Sequence, residues 1–144
     1  MKIINMKINE GNYFYVENPK YHPDLKNKIM VVVGAEKLRK DEGRRVKLNH
    51  INDDDNIVLP AVSQFEKFIK PIQITKDWLF NFEFEMSYQN QKAQIGSYIL
   101  SKSPNGWKLY FQFSDQQIYL GVELKYVHEL QNSFSSLTGY DLTL

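Results

Sequence analysis

Tyr126-Val-His-Glu-Leu-Gln-Asn-Ser-Phe-Ser-Ser-Leu-Thr-Gly139 is the stretch on which the fold turns. Val127, Leu130, Phe134 and Leu137 recur at helical spacing and form one apolar stripe. Gly139 then tolerates the positive φ at which helices commonly stop. Just upstream lies Ile118-Tyr-Leu-Gly-Val-Glu-Leu124. There Ile118, Leu120, Val122 and Leu124 share one face at period two, which marks a strand. Downstream, Leu142-Thr-Leu144 is short and alternating, and a terminal strand is expected there. A helix with one apolar stripe beside such strands serves as the lid of a sheet.

Further upstream, Trp107-Lys-Leu-Tyr-Phe-Gln-Phe113 places Trp107, Leu109, Phe111 and Phe113 on one face. Ser114–Gln117 turns that strand into the next. Ser103-Pro104-Asn105-Gly106 is a strong turn signal. Gln94 to Ser101 leads into it as a single strand, and Phe82-Glu-Phe-Glu-Met86 alternates as another. Residues 82–124 therefore read as an antiparallel meander whose apolar face the final helix covers. Thr75 suits the N-cap of a short helix over Lys76–Phe80, with Asp77 in the first turn where the dipole favours a carboxylate.

The N-terminal half reads differently. Gly11-Asn12-Tyr13-Phe14-Tyr15-Val16 is a turn and a strand, ended by the prolines of Asn18–Pro23. Ile29-Met-Val-Val-Val33 is a continuous apolar run, expected to be buried on both faces. Val46, Leu48 and, after a slip, Ile51 point inward along Val46–Ile51. Asn52–Asn56 is a turn cluster, and Ile57-Val-Leu59 is a short strand stopped by Pro60. One helical turn is expected in Ser63–Lys70, before an extended Pro71–Ile74. Short strands with frequent turns point to a small barrel-like sheet. The fold class is α+β: a barrel-like sheet in residues 1–70, then a C-terminal antiparallel sheet with its capping helix in residues 71–144, the two also able to form one domain.

Composition narrows the classes of function. A chain of 144 residues buries enough surface to fold without a metal or a disulfide. It has no cysteine, which removes thiolate catalysis and cysteine-ligated zinc and fits a reducing, cytoplasmic setting. The net charge of +1 calls for no polyanionic partner. No apolar run approaches the ~20 residues that span a bilayer, and the first residues lack a signal-peptide pattern. No membrane partner is expected. The aromatic fraction of 14% falls largely in alternating segments, where sheet packing accounts for it.

Three segments together carry a resemblance. They are Gly11-Asn12-Tyr13, Pro71-Ile-Gln-Ile-Thr-Lys-Asp-Trp-Leu79, and Tyr126-Val-His-Glu-Leu-Gln-Asn132 followed by Leu137-Thr-Gly139. Their order and spacing resemble an uncharacterised small-protein family of Bacteroidota phages and mobile elements. The resemblance implies a genomic setting and an architecture, and no activity. The chain departs from the family at Glu83, where a glycine precedes phenylalanine, and at Ser133 and Ser135, which replace bulkier residues. The first bears on the exit of the short helix, the second on how far the outer face of the last helix is buried.

Four groups of residues are candidates for a site. His128, Gln131 and Asn132 lie side by side on the last helix, where they either line a pocket for a base or sugar or tie the helix to a neighbouring loop. Lys37, Arg39, Lys40, Arg44, Arg45 and Lys47 outnumber Glu36, Asp41 and Glu42, a local charge of +3 that suits phosphates or simply a solvated hairpin tip. Asp53-Asp54-Asp55 beside His50 diverges too much for a metal site and reads as a turn. Tyr110 and Tyr119 sit opposite their strands' apolar rows, as cross-strand partners or as a stacking platform.

No nucleophile elbow, phosphate-binding glycine loop or zinc-protease motif is present. No catalytic residue, metal or cofactor is assigned, and an enzyme is the lesser reading. The expected function is a non-catalytic accessory protein of a phage or mobile element. Its expected partner is a host protein or a small anionic, nucleotide-type ligand, with sequestration in counter-defence as the role. The ligand-binding set is Lys37, Arg39, Arg44, Arg45, Lys47, Tyr110, Tyr119, His128, Gln131 and Asn132. The alternatives are a nucleic-acid-binding module using the 37–47 hairpin and an uncharacterised hydrolase. The edge of the C-terminal sheet is open to a second copy, a homo-oligomer, although edges carry that liability generally.

Overall fold

A computed structural model describes residues 7–16, 28–37, 44–50, 62–65, 69–87 and 89–144. They form ten strands and two helices. In chain order these are β1 (Tyr13–Val16), β2 (Ile29–Lys37), β3 (Arg44–His50), β4 (Val62–Phe65), β5 (Ile69–Pro71), α1 (Lys76–Asn81), β6 (Glu85–Ser87), β7 (Lys92–Ile95), β8 (Tyr98–Ser103), β9 (Gly106–Phe113), β10 (Gln116–Leu124) and α2 (Val127–Thr138). The strands make two five-stranded antiparallel sheets, ordered β4-β3-β2-β1-β5 and β10-β9-β8-β7-β6. The class is α+β.

The first sheet does not close into a barrel. β4 and β5 are its edges, and β5 ends on Pro71, which has no N–H for a further ladder. Of the segment Ser63–Lys70, where a helical turn is expected, Ser63–Phe65 belong to β4 and Ile69–Lys70 to β5; residues 66–68 lie outside the described residues. Phe65 and Ile69 suit either period, and the ladder Arg45↔Phe65 to Leu48↔Val62 takes Val62–Phe65 as strand. The turn at 52–56, the strand at 57–59, Ile51 and the proline segment 18–23 lie outside the described residues.

The two faces of the first sheet bury different clusters. Phe14, Val16, Met30, Val32, Val46, Leu48 and Ile69 join Ile8 in one. Tyr13, on the other face, belongs to the larger core, with Tyr15, Ile29 and Val31 packed against it. The apolar run of β2 is therefore covered on both sides as far as Val32. Val33 falls at a register shift between Val32 and Gly34 and is 40% exposed. This bulge in β2 lies opposite Lys47 and Leu48; the slip expected between Leu48 and Ile51 reaches beyond the described residues.

The larger core fills the space between the second sheet, α1 and α2. Val127, Leu130 and Phe134 of α2 meet Leu100, Trp107, Leu109 and Leu124 of the meander. Two boundaries differ from expectation. Gln94–Ser101 is two strands, because Gly96-Ser97 makes a tight turn that pairs Ile95 with Tyr98. β6 begins only at Glu85, since Phe82–Phe84 is the exit of α1, where Glu83 takes φ 71°. Thr75 caps α1 as expected, its Oγ1 accepting from Trp78 N at 3.4 Å.

Glu129 caps α2, its Oε1 accepting from the backbone N of Tyr126 at 2.9 Å and of Lys125 at 3.1 Å. Gly139 ends the helix at φ 76°. Residues 142–144 are not a strand. Their backbone groups bond to side chains instead: Leu142 O accepts from Gln131 Nε2 at 3.0 Å, and Leu144 N donates to Tyr13 Oη at 3.0 Å. Among the described residues no helix is long and apolar enough to cross a membrane.

Candidate functional site

The polar face of α2 is built into the fold. Gln131 is 5% exposed, and every polar atom of its side chain is engaged. Its Nε2 donates to Gly11 O at 2.8 Å and to Leu142 O, while its Oε1 accepts from Tyr13 N at 3.0 Å. Asn132 Oδ1 accepts from the amides of Asn9 at 3.0 Å and Asn12 at 2.9 Å, and its Nδ2 donates to Lys7 O at 3.1 Å. Gln131 and Asn132 thus tie α2 to the segment that enters β1. They satisfy backbone groups that burial would otherwise leave without partners. His128, 4% exposed, lies between the rings of Phe14 (centroids 4.8 Å apart) and Tyr126 (6.0 Å). Its Nδ1 has no hydrogen-bond partner, and burial lowers its pKa from 6.5 to about 4. It is a neutral packing ring at ordinary pH.

The remaining candidates lie elsewhere. Lys37 pairs with Arg44, and Gly34 with Lys47, in the β2–β3 ladder, so Lys37, Arg44, Arg45 and Lys47 lie on two paired strands. Arg45 and Lys47 are exposed there. Arg39 lies outside the described residues, as do Lys40 and Asp53–Asp55. Tyr110 and Tyr119 are cross-strand partners on the second sheet with ring centroids 5.3 Å apart, and Lys108 Nζ lies 5.8 Å from the Tyr119 ring. Three separate places therefore hold these residues: a hairpin of the first sheet, the outer face of the second, and the buried side of α2. Among the described residues no group of three histidines and carboxylates could hold a metal ion.

One cleft gathers residues that the sequence leaves scattered. Gln73, in the linker between β5 and α1, bridges to Tyr126. Ile74 N donates to Lys125 O at 3.0 Å, and Val127 N donates to Ile72 O at 2.8 Å. These bonds hold the linker against the entry to α2. The β8–β9 turn, Ser103–Gly106, closes the opposite wall. The cleft between them has a volume of about 620 Å³ and is lined by Gln73, Ile74, Lys102 to Trp107, and Lys125. Gly106 permits the close approach of its walls. A Cβ there would come within 2.5 Å of Leu124 O, and its φ of +154° disfavours any other residue.

The charge in this cleft is one-sided. Lys102 Nζ lies 5.0 Å from the Trp107 ring centroid, and Lys125 Nζ lies 5.5 Å from that of Tyr126. Among the described residues no carboxylate lines it. Glu123, on β10, accepts from Ser103 Oγ at 2.8 Å. Two amides, Gln73 and Asn105, add neutral donors and acceptors. The arrangement suits an anion of modest size, held by lysines as point charges and oriented by amides. Comparison with protein-family profiles, curated proteins and solved structures finds no match for the chain.

Proposed function

We propose that this is a non-catalytic binding protein for a small anionic ligand of the nucleotide type, seated in the cleft between the β8–β9 turn and the β5–α1 linker. The observation that carries this reading is the pair of lysines, Lys102 and Lys125, on a cleft that no carboxylate lines among the described residues. A volume of about 620 Å³ falls within the roughly 300–1,000 Å³ of small-molecule sites. The reading moves the ligand away from the basic hairpin and from α2, whose Gln131 and Asn132 are committed to backbone groups. A phage or mobile-element setting, and sequestration of a host signal as the role, rest on the resemblance of three sequence segments.

A thermal-shift screen against nucleotides, cyclic dinucleotides and short oligonucleotides at two salt concentrations tests it. A ligand at a hundred times its dissociation constant adds about 2.7 kcal/mol of stability. The expected result is a salt-tolerant shift with one small anion, lost in Lys102→Ala/Lys125→Ala and kept in Arg45→Ala/Lys47→Ala. The opposite pattern would return the ligand to the hairpin. A shift with oligonucleotides alone, collapsing at high salt, would favour the nucleic-acid alternative. No shift at all would leave a host protein as the partner and overturn the cleft.

A further inference from the structure

A second pocket opens beside the lysine cleft. Its volume is about 390 Å³, and Gln73 lines both. The linker between them is extended: Gln73 bridges to Tyr126, with Ile72 and Ile74 bonded to Val127 and Lys125 on either side. Ile74 lines the cleft, and Thr75, the next residue, lines the pocket. From Ile72 to Thr75 an extended chain covers roughly 10 Å. A molecule the size of a nucleotide spans that distance from its base to its phosphates, passing over Gln73.

The two pockets differ in chemistry. The cleft carries Lys102 and Lys125. Among the described residues no lysine or arginine lines the second pocket, whose walls include Tyr15, Ile29 and Trp78. The charge on its lining is the carboxylate of Asp77. Asp77 and Asn81 stand at i and i+4 on α1, side by side, and both line the pocket. Thr75 Oγ1 already accepts from Trp78 N. Among the described residues no hydrogen bond or ion pair engages the side chains of Asp77 and Asn81, so both are free to meet a ligand.

We propose that this pocket takes the base of a guanine nucleotide whose phosphates occupy the lysine cleft, a reading that rests on the anion site proposed above. A carboxylate offers acceptors alone. Guanine presents two adjacent donors, its ring N–H and its 2-amino group, which a carboxylate accepts as a pair. Its carbonyl oxygen beside them is left for the amide of Asn81. Adenine sets a ring-nitrogen lone pair and a C–H where guanine has those donors, and the lone pair repels the carboxylate. Cytosine has one amino donor beside a lone pair, and uracil one N–H between two carbonyls. Tyr15 and Trp78 supply aromatic surface against which a base packs. The negative charge of Asp77 keeps phosphates out of this pocket and so fixes the direction of the ligand.

Titration calorimetry of the intact chain with GDP, ADP and pyrophosphate tests this. GDP is expected to bind roughly 10–100-fold more tightly than ADP, the range for hydrogen bonds to a charged group. Asp77 is exposed, and Asp77→Asn turns one of its acceptors into a donor. That variant is expected to lose the preference for GDP and to gain one for xanthosine diphosphate, in which a carbonyl replaces the 2-amino group. Pyrophosphate should bind it as it binds the wild type. Should the variant fail to fold, Asn81→Ala is expected to weaken GDP and to leave pyrophosphate unchanged. Pyrophosphate bound with equal affinities for GDP and ADP, or a GDP preference unmoved by Asp77→Asn, would overturn the base pocket and leave the lysine cleft standing. Binding of neither pyrophosphate nor GDP would overturn the cleft, and this inference with it.

Discussion

At the scale of single residues, the buried ring of His128 makes stability depend on pH. Above about 6.5, its ordinary value, the ring is neutral in both folded and unfolded chains and folding bears no penalty. As pH falls below 6.5, the unfolded chain takes up a proton that the folded chain refuses until about 4. Stability is therefore lost across that window, by something on the order of 3 kcal/mol at its lower end. His128→Phe keeps a ring between Phe14 and Tyr126, removes the unpartnered Nδ1 and abolishes the titration. Urea midpoints at pH 7 and 4.5 should fall markedly less for the variant than for the wild type. Equal falls would show that His128 is not the group responsible. The bonds of Gln131 belong to the same scale. Its partners at Gly11 and Tyr13 are 120 and 118 residues away, and no local pattern announces them. Spacing on α2 correctly puts His128, Gln131 and Asn132 together. What they face is decided by docking, so the choice between pocket and tether is not written in the helix.

At the scale of elements, the exit of α1 holds a non-glycine residue in the left-handed region: Glu83 has a φ of 71°. Its N–H bonds to Phe80 O at 2.9 Å, and the next N–H bonds to Leu79 O at 2.9 Å, so the helix ends in a left-handed turn. A non-glycine residue is strained there by about 1 kcal/mol. Glu83→Gly is expected to raise unfolding free energy by no more than roughly 0.6 kcal/mol, since the added freedom of the unfolded chain, worth about 0.4–1 kcal/mol, offsets much of the relief. Chemical denaturation measures this directly, and a loss of stability would count against the strain. Elements with a strong period were the legible ones: α2, β9 and β10 follow their apolar rows over most of their length. Leu137, Phe113 and Ile118, at the ends of those rows, run past the core and are exposed. Elements defined by a short turn were not legible. Gly96-Ser97 breaks what reads as one strand, and Ile69 suits helix and strand alike. The cleft was illegible for another reason: Lys102, Lys125 and Gln73 become neighbours only when the linker docks on the entry to α2.

At the scale of the whole molecule, the two sheets share a core. Tyr13 belongs to β1 of the first sheet, yet its ring lies 5.6 Å from Trp78 and 6.2 Å from Phe82, centroid to centroid. Burial raises its pKa above the ordinary phenol value, although the bond from Leu144 pulls the other way. A residue placed like this couples the halves, so heat unfolding is expected to show one transition by far- and near-ultraviolet circular dichroism. Tyr13→Ala should remove on the order of 3–5 kcal/mol from that single transition, as for other buried aromatics. Two resolved transitions, only one of them moved by the substitution, would show that the halves are energetically separate.

The bond between Tyr13 N and Gln131 also has a consequence for the order of synthesis. The ribosome adds roughly 5–20 residues each second, so α2 follows β1, 118 residues earlier, by roughly 6–24 s. β1, β2 and β5 can pair long before that. During the interval the face bearing Tyr13, Tyr15, Ile29 and Val31 has no helix α2 to close the core against it. The nascent chain therefore presents an aromatic, apolar surface to the cell for seconds, a natural docking place for a chaperone at the tunnel exit.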